Sequence, residues 1–243
     1  MDISYWTRLV PKIKYEPTRK RYFGQYLCKL VLEINCGRII STPESTDVEH
    51  AVQTQISLLK SYNFGGSWRI GRIDTLRHAN IEDLRCLRSI RHAHKEQFKF
   101  RIEEPMVQIY SETEDQLRGI VKQFTPSLVG NIKSISFPES LEQSALLQQD
   151  KILVSPLQKS GYSHKVMLRD GQYDTSTKQQ LLDYFNNLGD QVRLTEGTRR
   201  MLSAPNTFLW SGYFYTNDIS LITFVSLINP KIVGKIHELV RTY

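Results

Sequence analysis

Arg85, Arg88, His92 and Lys95 follow one another at spacings of three, four and three. On a helix that spacing gathers the four groups along one side, and Arg77 and Arg91 widen the arc. A cationic stripe of this kind suits the phosphate backbone of a nucleic acid, which Lys and Arg neutralise without regard to base sequence. The same residues also fit an ordinary solvated helix face. Two further groups belong to the argument. Arg19, Lys20 and Arg21 end a basic N-terminal stretch, and Arg69 and Arg72 stand beside the glycines of NFGGSWRIG, 63–71. Glycines there would let the backbone approach a phosphate. A turn entering a strand, with Trp68 in the core, explains the same residues more simply. Tyr5, Trp6 and Trp68 lie among these cations and would offer rings for stacking.

Residues suited to catalysis are sparse. His92 and His94 form an HxH pair, but two residues apart on a helix they point to different sides and cannot share a metal. Glu103 and Glu104 are adjacent, so in a strand they face opposite ways and make no acid/base pair. Asp170 precedes a glycine, where a turn favours Asp for backbone reasons alone. No GxSxG, HExxH, CxxC or GxxxxGK[ST] pattern is present. No metal and no cofactor is expected, and the reading favours a non-enzymatic role.

The chain has 243 residues, 40% hydrophobic and 23% charged, which suits a soluble globular protein of one large or two small domains. Net charge is +7. Residues 1–101 carry 18 Lys and Arg against 10 Asp and Glu, whereas 102–243 carry 14 against 15. That asymmetry points to a polyanion partner or an acidic neighbouring subunit. Cys28, Cys36 and Cys86 form no pairing pattern, as expected in a reducing compartment. The N-terminus shows no apolar signal core, and the longest apolar stretch, Ile219 to Ile228, is too short to span a bilayer. The expectation is a cytoplasmic protein with no membrane partner, or one from a virus particle assembled in the cytoplasm.

The elements that must carry these residues read as follows. Residues 1–21 show no period and suggest a basic extended arm. Tyr22 to Ile34 alternates as a strand, and Arg38 to Ser41 returns as a second. A helix capped at Ser45 or Thr46 follows, and Asn80 to Lys95 forms the helix that bears the stripe. Strands are expected at 97–101, 106–110, 132–137, 164–169 and 191–195. Ser111 with Glu114 reads as a capping box. Phe208 to Tyr215 reads as a strand, followed by a helix from Asp218 and a second helix restarted by Asn229-Pro230. VQIYSETEDQL and YFYTNDISLI repeat one theme, a strand ending at a tyrosine followed by a capped helix, without the residue identity that a duplication would show.

The expected class is α+β, mixed sheets with helices packed on one face, and two split-βαβ (ferredoxin-like) layers side by side fit it. The expected divisions are the arm, a basic α+β domain over 22–150, and an α+β domain with C-terminal helices over 151–243. Two functions fit. One is a nucleic-acid-binding protein, for DNA or RNA, that holds phosphates through the arm and the helix. The other is a structural or adaptor subunit bound to other protein subunits of an assembly, such as a viral particle.

Overall fold

The computed structural model describes residues 2–35, 37–61, 66–154, 161–205 and 208–241, and only the backbone of 66–70. The chain divides into two compact units, Met1–Ser144 and Ala145–Tyr243.

The first unit contains, in order, α1 (Ile3–Leu9), β1 (Lys14–Pro17), β2 (Cys28–Glu33), a 3-10 turn (Gly37–Ser41), α2 (Val48–Ser61), α3 (Gly66–Arg77), α4 (Ile81–Ala93), β3 (Lys99–Glu103), β4 (Met106–Ser111), α5 (Glu114–Val121), α6 (Pro126–Gly130) and β5 (Ile132–Phe137). Its sheet has the order β1-β5-β2-β4-β3. β2 is antiparallel to β4 and β5, β3 is antiparallel to β4, and β1 is parallel to β5. Without β1, this is a βαββαβ chain in which each helical crossover joins parallel strands with a third strand between them. That is the split-βαβ, ferredoxin-like arrangement.

α7 (Leu141–Gln148) crosses the boundary between the units, and the second unit repeats the plan. It contains β6 (Ile152–Val154), β7 (His164–Leu168), β8 (Gly171–Gln172), α8 (Thr175–Asn187), β9 (Val192–Leu194), α9 (Glu196–Ser203), β10 (Phe208–Leu209), β11 (Tyr213–Thr216), α10 (Leu221–Ile228) and β12 (Val233–Arg241). The main sheet has the order β6-β12-β7-β11-β9, with β6 parallel to β12 and the other pairs antiparallel. β7, β9, β11 and β12 therefore take the places of β2, β3, β4 and β5, and β6 takes the place of β1. The repeated theme noted above falls on equivalent elements, β4 with α5 and β11 with α10. The repeat is topological. β8 and β10 form an added two-stranded antiparallel pair.

The caps follow the sequence closely. Asn80 accepts from the backbone of Glu82 and Asp83 at the start of α4. Asp174 caps α8, and Thr195 caps α9. Thr125 precedes Pro126 at the start of α6, where a missing N–H costs nothing. The capping box before α5 lies two residues beyond its expected place, on Thr113 with Gln116, while Ser111 ends β4.

Five expectations are corrected. The extended arm is instead α1 and β1. Trp6 is fully buried, and β1 extends the sheet along β5. The strand expected from Tyr22 begins only at Cys28, because Tyr22 to Tyr26 is a turn closed by a single bridge. In that turn Phe23 and Gly24 have φ of 54° and 73°. The return strand at Arg38 to Ser41 is a 3-10 turn. Its Gly37 fits because a Cβ there would lie 2.8 Å from Val107 Cγ2. The glycine-rich stretch is helical from Gly66, and 62–65 lie outside the described residues. Gly71 sits where an added Cβ would meet nothing, so no special backbone conformation is required there.

The second C-terminal helix is the strand β12. Ile232, Ile236, Leu239 and Val240 do recur at helical spacing, but this segment pairs with β7 and then with β6. Pairing with two strands satisfies more backbone groups than a short helix could, and its branched residues suit a strand. Asn229 accepts from the N–H of Lys231 and makes a turn rather than starting a helix.

Candidate nucleic-acid interface

The expected cationic stripe exists on α4, but most of its groups are engaged by protein groups. Arg85 Nη2 pairs with Glu49 at 3.1 Å and Asp47 at 3.5 Å. Arg88 Nη1 donates to the carbonyl of Thr46. Arg91 Nη1 donates to the carbonyl of Ile40 at 2.9 Å, and His92 Nε2 lies 3.3 Å from that of Thr42. These carbonyls end the 3-10 turn and the loop after it, where no helix continues to supply donors. Arg88, Arg91 and His92 satisfy them. Lys95, past the end of α4, is exposed.

The other expected residues are scattered. On α3, Arg72 forms an ion pair with Glu104, and Arg77 pairs with Asp74 at 3.4 Å. The side chains of Arg69 and Trp68 lie outside the described residues. Arg19 and Lys20 are exposed, and Arg21 is half-buried beyond the end of β1. Glu104 marks the opposite end of the opposite sheet edge, since β1 and β3 are the two outermost strands. At about 4.8 Å per strand, the Arg19 group and Arg72 are separated by roughly 19 Å across the sheet alone. Neither N-terminal ring is open for stacking. Trp6 donates its indole N–H to buried Glu114, and Tyr5 lies against Trp6 and Arg118.

What the topology does gather lies on the sheets. In the second unit Val166, Leu168, Val192 and Phe214 pack with Leu181, Phe185, Leu202 and Val225 of the helices. The alternate strand positions face the other way. They hold Lys165 and Met167 on β7, Arg193 on β9, Tyr213 and Tyr215 on β11, and Lys235, His237 and Arg241 on β12, all half-buried or exposed. Lys165, Arg193, Lys235 and Arg241 are all cations, and no strand position of that face holds a carboxylate, although Lys235 pairs with Asp150 from the turn before β6 at 3.5 Å. Glu238 lies on the alternate parity. Lys165 Nζ sits 3.7 Å from the ring centre of Tyr213. Tyr213 meets Tyr215 edge-on at 5.5 Å, and Tyr162 stacks on Tyr215 at 6.3 Å. Burial, and then the neighbouring Tyr213, push the Tyr215 phenol up, so it stays neutral near pH 7.

The corresponding face of the first unit is more neutral. Glu16 pairs with Lys14 at 2.7 Å, Glu33 with Lys133 at 2.6 Å, and Glu103 with Arg101. The central row nonetheless matches in both units. Tyr110 on β4 is flanked by Lys29 and Lys99 on the adjacent strands. Tyr215 on β11 is flanked by Lys165 and Arg193.

Sequence reasoning missed this face because it assigned charge by segment. Cutting at residue 101 places Glu103, Glu104, Glu112, Glu114 and Asp115 with the second half, although they belong to the first unit. Divided at the structural boundary, the units carry 21 Lys and Arg against 17 Asp and Glu, and 11 against 8. Both are basic. Alternation in YFYT and HKVML was the available signal.

Among the described residues no three His, Cys, Asp or Glu side chains come together as a metal site, and no helix is long and apolar enough to cross a membrane. Comparison with models of protein families and with curated proteins found no match.

Proposed function

We propose that the protein is a non-enzymatic nucleic-acid-binding protein whose main contact surface is the open sheet face of the second unit. The observation behind this is the row of Lys165, Arg193 and Arg241 around Tyr213 and Tyr215, on strand positions that hold no carboxylate. Cations on a flat face neutralise phosphates, and the aromatic rings between them stack on bases. The topology alone assigns nothing, but sheets of this strand order with aromatic open faces suit nucleic-acid strands. Exposed Arg19, Lys20 and Lys95 add to the attractive field.

The test is fluorescence anisotropy of labelled oligonucleotides at several salt concentrations. With four phosphates contacted, log affinity falls with log salt at a slope of about −3 to −4. Replacing Lys165, Arg193 and Arg241 with alanine weakens binding to all sequences and flattens that slope by about two to three units. No binding at low salt overturns the proposal.

A structural or adaptor role in a larger assembly has its own support. Phe208 and Trp210 are 50% and 67% exposed with rings 6.0 Å apart, and Phe224 and Leu227 project from α10. Exposed apolar groups of this size suit a protein contact.

A further inference from the structure

We infer that the chain carries two equivalent contact rows, one in each unit, and that their ligand is nucleic acid with unpaired bases. This rests on the nucleic-acid reading above. It extends that reading by a second site and by the class of strand bound.

The two rows are built alike. In each, a tyrosine on the third strand of the split-βαβ order sits between cations on both neighbouring strands. In each, a further aromatic arrives from the segment just before the first strand of that order. In the second unit this is Tyr162, stacked on Tyr215. In the first unit it is Phe23, set edge-on to Tyr110 at 5.0 Å. Tyr110 is only 3% exposed, so the ring that this row presents outward is Phe23, which is 51% exposed. Lys99 Nζ lies 4.0 Å from the Phe23 ring centre, and Lys29 Nζ lies 5.4 Å from that of Tyr22.

Phe23 reaches this place with φ of 54°, a conformation disfavoured for any residue with a Cβ. Folding alone gains little from straining a phenylalanine in order to leave half of it in water. A cation-flanked ring held outward is what a base would stack on, with Lys29 and Lys99 positioned for the adjoining phosphates. Duplex bases are already stacked on one another and offer no free face, so the ligand is single-stranded.

The test uses the full chain. A labelled five-nucleotide single strand is titrated to saturation by calorimetry, beside a 20-nucleotide strand and its duplex. Two short strands are expected to bind per chain. The pair Phe23→Ala with Lys99→Ala, and separately Tyr213→Ala with Lys165→Ala, each reduces this to one. Circular dichroism stays unchanged in both variants. The 20-nucleotide strand binds more tightly than its duplex. A stoichiometry of one that the Phe23 and Lys99 variant leaves intact overturns the second row and leaves the proposed function standing. Duplex binding equal to single-strand binding overturns the choice of strand in the same way. Failure of every nucleic acid to bind at low salt overturns both this inference and the proposed function.

Discussion

Glu114 shows how a residue's task can be hidden from its sequence neighbourhood. Its carboxylate is 6% exposed and accepts from Trp6 Nε1 at 2.9 Å, Arg118 Nε at 2.9 Å and the backbone N–H of Asp2 at 3.2 Å. It ties α1 to α5, across more than a hundred residues. Trp6 read as a surface ring because the partner that buries it could not be seen locally. Glu114→Ala leaves a buried indole N–H and a partly buried guanidinium without their acceptor. The expected cost is about 2–3 kcal/mol, read as a lower urea midpoint. A loss below about 0.5 kcal/mol would show that water replaces the carboxylate. Cys28 gives a second test at this scale. Burial pushes its thiol up to about 12, so almost no thiolate exists at pH 8. Cys28 is expected to stay unalkylated by iodoacetamide in the native protein and to react fully in urea, as read by peptide mass mapping.

Elements were legible where local chemistry decides them and illegible where pairing does. Asn80 supplies the side-chain oxygen that a helix start needs, and α4 forms where the sequence places it. β1 and β12 are different. β1 is short and exists because the edge of β5 accepts it, whereas β12 is irregular in pattern and exists because β7 and β6 pair with it on both sides. The segment after Asn229 carries enough helical periodicity to mislead, and only the partners β7 and β6 decide the outcome. A chain ending after Ser203 loses β11 and β12, which flank β7 on both sides, together with α10. Phe214, Ile222, Val225 and Ile232 leave the core cluster with them. The expected result is rapid proteolysis within 145–203 under conditions that spare the full chain. A protease-resistant fragment covering those residues would show that the second unit does not depend on its C-terminal strands.

At the scale of the molecule, the α+β class could be read from alternating elements, but the complete second βαββαβ order, which needs β12, and the candidate surface could not. Sequence periodicity shows which residues share a helix side, and it does not show what that side faces. The stripe on α4 is the clearest case. Its periodicity is real, yet Arg85 pairs with Glu49, and Arg88 and Arg91 hold backbone carbonyls. Replacing Arg85, Arg88 and Lys95 with alanine therefore removes a carbonyl's donor and Arg85's two exposed ion pairs, with Glu49 and Asp47. A fall of about 1 kcal/mol in stability is expected by urea denaturation, mostly from Arg88, since exposed pairs contribute little. Nucleic-acid binding by the same variant should keep most of its salt dependence, with the slope flattened by about one unit through Lys95. The Lys165, Arg193 and Arg241 variant should show the reverse, with a much flatter slope and stability nearly unchanged, because these cations stand on a sheet face away from the core cluster. Measuring both variants by anisotropy across salt and by urea midpoint separates the two surfaces. If the helix variant flattens the slope by about three units while the sheet variant leaves it intact, the phosphates lie along α4, and the sheet face has another partner.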